Sequence, residues 1–347
     1  MRERGTERGL PFDFDSVRRD AIRKVEEITE RRLIVYAVDI TNLSKSPNPV
    51  DGMINPQDRD ALIEVTRNIE VPGGPVDIFL QSNGGLAEAA ETLVEMLRRR
   101  FTSVRFIVVG SAKSAATMLA LSGDEILMTT SSELGPTDPQ MGIGGGRFAP
   151  AQAVLDLFDR ARRELMENPQ AMPAWLPILQ QFGPALLQEC QNQLDLGRAL
   201  VTSWLTRFMF ADDPTDGPRR AAALAESFSQ HNKWGSHSRR IGLEFLTSPD
   251  GEGLKVTNVE ENQALHEALW ALHHAINVTF SRTPTLKIIE RSSGEAYIRG
   301  VAQVSLMPQG FPFPAQPFPI PMQPLPTPVQ PAPAQPSPEP SIPPQTT

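Results

Sequence analysis

Between residues 76 and 128 the chain runs strand, tight turn and helix, then repeats that order. This restricts it to parallel β-α-β units with helices laid over a sheet. Val76-Asp-Ile-Phe-Leu80 is a short apolar strand and Ser82-Asn-Gly-Gly85 its turn. Residues 86–99 follow as a helix, with Leu86, Ala90, Leu93 and Leu97 at helical spacing on one face. Val104-Arg-Phe-Ile-Val-Val109 is the second strand, and Gly110-Ser-Ala-Lys-Ser114 leads into a short helix over 115–121. Glu125-Ile-Leu-Met128 is a third strand. Upstream, residues 15–31 fit an amphipathic helix, residues 33–38 a buried strand and residues 58–69 a helix.

From 151 to 210 the pattern turns helical, broken by Pro169, Pro173, Pro177 and Pro184. Residues 212–219 read as a turn-rich linker. Residues 258–280 form a long helix with Leu265, Leu269, Leu272 and Ile276 on one stripe, and residues 287–289 and 296–298 a closing hairpin. Beyond Leu306, sixteen of the 33 prolines fall between Pro308 and Pro344, so this stretch cannot supply ladder hydrogen bonds. The expected organisation is a helical extension over 1–31, a catalytic core over 32–150, a helical subdomain over 151–306 completing the fold, and a disordered proline-rich tail over 307–347. The tail either solubilises the protein or binds proline-reading domains.

A net charge of −8 argues against a nucleic-acid surface, which needs clustered Lys and Arg. Cys190 is the only cysteine, so an internal disulfide and a cysteine-based metal site are both excluded. The charged start leads into no apolar signal core, and no apolar run is long enough to span a bilayer. A cytoplasmic protein is expected. No metal constellation, P-loop or dinucleotide fingerprint is present, so no cofactor is expected.

The chemistry sits in the two turns. In Ser82-Asn-Gly-Gly-Leu86 the glycines stand between a strand and a helix start, where free amides and open backbone can receive an oxyanion. In Gly110-Ser-Ala-Lys-Ser-Ala-Ala-Thr117, Ser114 stands at the first helical turn among small residues. Each turn alone is also explained by tight-turn geometry or capping. Together they lie about thirty residues apart on successive β-α units, so parallel packing sets their helix starts side by side.

At this point the chain resembles the serine dehydrogenase proteinases, the SppA-like or Clp-like serine proteases of the Clp/crotonase fold. The resemblance rests on Ser82-Asn-Gly-Gly85, Ala112-Lys-Ser-Ala-Ala-Thr-Met118, Asp124-Glu-Ile-Leu-Met128 and Ser132-Glu-Leu-Gly-Pro-Thr-Asp-Pro-Gln140. Trp234-Gly-Ser-His-Ser-Arg-Arg-Ile241 followed by Gly253-Leu-Lys-Val256 is a fainter part of it. It implies an α/β fold of stacked β-α-β units, a peptide or protein substrate, and assembly into a homo-oligomer. It makes Ser114 the nucleophile and the amides of Gly85, Leu86 and Ala115 the oxyanion hole.

The resemblance does not supply the base. Where Clp peptidases carry a histidine this chain has Asp138-Pro-Gln140, and SppA-like enzymes use a lysine, but none follows Ser114 until Lys233. Lys113 adjoins the nucleophile and should point away from it. His237 is the favoured base because imidazole titrates in the useful range, with Asp138 either orienting it or lining the cleft. The alternative is that His237 and Arg239 only brace the helical subdomain, and Lys233 is the second candidate for the base. His266 and His273, about 10 Å apart along one helix, read as structural. Trp175-Leu-Pro-Ile-Leu179 is core, lid or oligomer surface, and Gly142-Ile-Gly-Gly-Gly146 a loop at the cleft edge. The leading reading is an ATP-independent serine endopeptidase. Crotonase-type acyl-CoA chemistry and a non-catalytic peptide-binding scaffold stand beside it.

Overall fold

The computed structural model describes residues 13–300 apart from 43, 44, 145 and 184. The proline-rich tail, and the partner reading attached to it, lie outside the described residues. A seven-stranded sheet runs in the order β11-β10-β1-β2-β3-β5-β9. Its strands are β1 (Arg32–Val38), β2 (Pro75–Gln81), β3 (Ser103–Val108), β5 (Glu125–Met128), β9 (Val256–Asn258), β10 (Thr285–Arg291) and β11 (Ala296–Gly300). The first five in chain order are parallel neighbours, whereas β10 runs antiparallel to β1 and β11 antiparallel to β10. The expected closing hairpin is therefore also an edge of the main sheet. Three of the seven strands come from the segment read as a helical subdomain.

Alternate side chains of each strand enter opposite layers, as period-two geometry requires. Ile34, Tyr36 and Val38 of β1 face α2 (Asp58–Thr66), α3 (Ala87–Arg100) and α4 (Ala115–Leu121), and beyond them α7 (Leu186–Arg207) and α8 (Gly217–Ser229). Leu33, Val35 and Ala37 face α1 (Phe14–Thr29) and α11 (Gln263–Arg282). Helix α1 is fastened across the sheet by a fully buried Arg18, whose Nε donates to Glu290 Oε1 at 2.6 Å.

Buried charge also fixes the loop before α2. Lys287 Nζ on β10 donates to Asp58 Oδ1 (2.6 Å) and to the Met53 carbonyl (2.7 Å), and Tyr36 OH donates to Asp58 Oδ2 (2.6 Å). Burial pulls the Lys287 ammonium below its usual range against the opposing pull of Asp58. The Tyr36 phenol is pushed well above its ordinary value, first by burial and then by the Asp58 charge. A group raised on folding contributes stability that is full below its unfolded pKa of about 10 and is lost as pH rises beyond it. The urea midpoint should therefore fall more steeply above pH 10 in the wild type than in Tyr36→Phe. Parallel curves would show that Tyr36 ionisation does not limit alkaline stability.

Candidate active site

The two turns meet at the carboxyl ends of β2 and β3, where open parallel sheets bind ligands. A second, short ladder crosses them. Ile54 bridges Gly85, Ser82 bridges Ala112, β4 (Ser111–Ala112) pairs with β6 (Glu133–Leu134), and Leu134 bridges Ile241. Five remote pieces of chain are thus laid side by side under the cleft.

Ser114 is the residue before α4, with φ 53° and ψ −123°. That region is open to glycine and costs a residue with a Cβ about 1–3 kcal/mol. The turn is braced by the buried Thr117, which donates to the Ala112 carbonyl (2.8 Å) and accepts from the Gly135 amide (3.0 Å). The two turns are in contact: a Cβ on Gly84 would lie 2.7 Å from Ser114 Cβ and 3.0 Å from the Ala115 nitrogen. A Cβ on Gly85 would strike the Ile54 carbonyl oxygen at 2.2 Å. Both glycines are therefore required by close approach.

One oxyanion donor expected from the sequence is already used. The Leu86 amide donates to the Ile54 carbonyl at 3.0 Å, because the Ile54–Gly85 bridge runs alongside it. This corrects the assignment of Leu86; its side chain, 48% exposed, lines the cleft instead. Among the described residues the amides of Gly85 and Ala115 have no acceptor.

Asp138 is fully buried. His237 Nδ1 lies 2.8 Å from its Oδ1, while His231 Nδ1 and Gln140 Nε2 lie 3.1 Å and 3.0 Å from its Oδ2. The chain explains the meeting. The Leu134–Ile241 bridge ties down the end of the loop carrying His237, and the Thr137 amide donates to the Phe228 carbonyl at the end of α8 (2.9 Å), which sets His231 close by. His231 went unremarked in the sequence. Its signal is a second histidine six residues before His237, with Gly235 between them at φ 69° reversing the chain.

Ser114, Gly84, Gly85, Ala115 and His237 line one solvent-open cleft of about 630 Å³. Its walls are largely apolar, with Met53, Leu86, Met118, Met141 and Phe148 on them. Met141 and Phe148 come from the hairpin β7 (Gln140–Gly142) and β8 (Phe148–Pro150), so the glycine-rich loop expected at the cleft edge is a hairpin connection. No hydrogen bond joins Ser114 to His237 among the described residues; such bonds commonly tighten only when substrate binds.

The lysines stand elsewhere. Lys113 donates to the Leu134 carbonyl (3.0 Å) and pairs with Glu133 (3.2 Å), pointing away from the cleft as expected; burial lowers its pKa, partly offset by Glu133. Lys233 is bonded to Ser227 and is absent from the cleft wall. His273 Nε2 accepts from Asn277 Nδ2 (3.0 Å), with its pKa lowered first by burial and then by His274, and His266 packs edge-on against Trp270. Trp175 is buried in α6 (Met172–Leu179), away from the cleft wall. Among the described residues no cluster of metal ligands occurs and no helix is long and apolar enough to cross a membrane.

Residues 13–170 match the family of ClpP-like SDH-type serine proteinases. The resemblance carried by the two turns is thereby borne out, and the SDH-type segment holds Ser114, both glycines and Asp138. Two curated proteins of Methanocaldococcus jannaschii are similar to the chain. Uncharacterized protein MJ1495 is 27% identical over 42% of this chain and 48% of its own length. Uncharacterized protein MJ0137 is 33% identical over 27% of this chain and 32% of its own length. The chain thus spans half or less of the curated relatives it matches. Among solved structures, a variant of the 1510-N membrane-bound stomatin-specific protease bound to a substrate peptide aligns at TM-score 0.35 and 17% identity, over 59% of this chain and 70% of that one. A ClpP1 variant from Listeria monocytogenes aligns at TM-score 0.22 and 16% identity, over 43% and 75%.

Proposed function

We propose that the protein is an ATP-independent serine endopeptidase that works through an acyl-enzyme on Ser114. The observation that carries this reading is one cleft holding a strained serine at a helix start, two free amides beside it, and a histidine backed by a buried carboxylate. With Asp138 accepting from His237 Nδ1–H, the other ring nitrogen is bare and can take the Ser114 proton as Oγ attacks the peptide carbonyl. The carbonyl oxygen becomes an oxyanion facing the amides of Gly85 and Ala115. The imidazolium then gives its proton to the leaving amine as the C–N bond breaks. Water repeats the sequence on the ester and frees Ser114. The apolar walls suit extended segments of unfolded chain. Assembly into a homo-oligomer and a cytoplasmic location belong to the same reading.

A fluorophosphonate probe tests it. Adduct on Ser114, found by peptide mass spectrometry and lost in His237→Ala, is the expected result. Labelling that survives in His237→Ala removes His237 as the base. A folded protein that takes up no probe favours the peptide-binding scaffold.

A further inference from the structure

Asp138 receives more donors than orienting a single base requires. Its carboxylate is shut off from solvent, yet two imidazoles and one amide reach its two oxygens: His237 Nδ1 on Oδ1, His231 Nδ1 and Gln140 Nε2 on Oδ2. A neutral imidazole that donates to a carboxylate oxygen through Nδ1 carries its proton there and leaves Nε2 bare. The two rings differ in what they face. His237 lies on the cleft wall, whereas His231 does not. One-fifth of the His231 side chain is exposed to solvent.

We propose that His231 is a positioning residue that sets the proton affinity of His237 through the carboxylate they share. The proposal rests on His237 being the base. The local chain makes the arrangement rigid. Residues 230–241 leave α8 at Ser229, form α9 (His231–Trp234), turn at Gly235 and return to pair Ile241 with Leu134. Both ends of this excursion are therefore fastened to the 134–138 segment that carries Asp138.

The sign follows from electrostatics. A neutral His231 spends part of the Asp138 charge on its own hydrogen bond. A protonated His231 adds a positive charge one carboxylate away from His237. Both effects weaken the hold of Asp138 on a protonated His237. Two further charges stand near His237: Glu88 of α3, on the same cleft wall, accepts from Gln193 (3.2 Å), and Arg239, two residues along the chain, is exposed to solvent. Asp156 of α5 (Ala151–Glu167) holds Asn232 (3.1 Å), Glu226 of α8 holds Arg198 of α7 (2.9 Å), and Lys233 holds Ser227. Lys113 is tied to Glu133, and Arg240 donates to the Thr130 carbonyl (2.7 Å). Asp138 is thus the anion common to both rings.

The test uses the full chain with ¹³C-labelled histidine, its ring signals followed by NMR across pH and assigned by single His→Gln changes. In the wild type, His231 and His237 should titrate as a coupled pair, each curve showing two steps. In His231→Gln, His237 should titrate in one step, with its midpoint moved up by about 0.5–1 pH unit, a three- to tenfold gain in proton affinity. The acid limb of the fluorophosphonate labelling rate should move up by the same amount. A merely structural His231 would lower the labelling rate without moving either midpoint, and that result overturns the proposal. So does a single-step wild-type curve for His237, which requires no variant to fold. If the NMR midpoints shift while Ser114 takes no label at any pH, the coupling stands and the peptidase reading fails.

Discussion

If Ser114 is the nucleophile as proposed, Ser114→Ala should lower hydrolysis of an unfolded protein substrate by about 10⁴-fold or more, the scale set by losing the nucleophile of a serine hydrolase. The fold survives, because the Ser114 side chain makes no hydrogen bond among the described residues and the turn is held by Thr117 and the short ladder. Ser114→Gly is the sharper companion. It loses activity equally but relieves the positive-φ strain, so its melting midpoint should rise by about 2–4 °C for about 1 kcal/mol. Turnover retained in Ser114→Ala would overturn the nucleophile assignment. An unchanged midpoint in Ser114→Gly would show that the turn stores no strain.

Lys287→Met has the largest expected effect on stability. The substitution strands the Asp58 carboxylate, 1% exposed, with only Tyr36 and the Asn55 amide as donors. Breaking one half of a buried pair costs about 3–5 kcal/mol, whereas replacing both halves by apolar groups is often neutral. Lys287→Met should therefore lower the melting midpoint by on the order of 10 °C, and Lys287→Met with Asp58→Leu should recover most of it. Calorimetry on the three proteins decides the matter; additive losses would mean the pair acts as two unrelated residues. Activity is also at stake. Lys287 holds the Met53 carbonyl, and the next residue, Ile54, accepts from Leu86 and donates to the Gly84 carbonyl.

Most of the parallel core was legible because its strands alternate between two buried layers and its helices carry one apolar stripe. Helix α4 and strand β5 fall where the residue pattern put them, and the other early elements within a few residues. Strand β9 was not legible: three residues, Val256 to Asn258, paired with β5 alone carry no periodicity. The long helix begins at Gln263, not 258, because Asn262 caps it and residues 256–261 are spent on β9 and a 3-10 turn. That β10 lies against β1 could not be read from β10, since its partner is some 250 residues distant and no local rule names it. At the site, the glycines and Ser114 announced themselves by spacing. The spent amide of Leu86 did not, because its acceptor, Ile54, lies in another segment. His231 stayed hidden for a related reason: six residues from His237, it shares a partner only after Gly235 turns the chain.

The buried Arg18–Glu290 pair joins residues 272 positions apart and closes α1 over the sheet. During synthesis, α1 and β1 leave the ribosome some 230 residues or more ahead of α11, which covers the same apolar layer, and of β10, which flanks β1. A nascent chain short of residue 290 therefore carries an uncapped hydrophobic face and a half-built sheet. A chain short of residue 241 also lacks the loop that brings His237 to Asp138. The pairing of His237 with Asp138 can therefore form only after the loop ending at Ile241 has been made and has docked on Leu134, more than a hundred residues after Ser114.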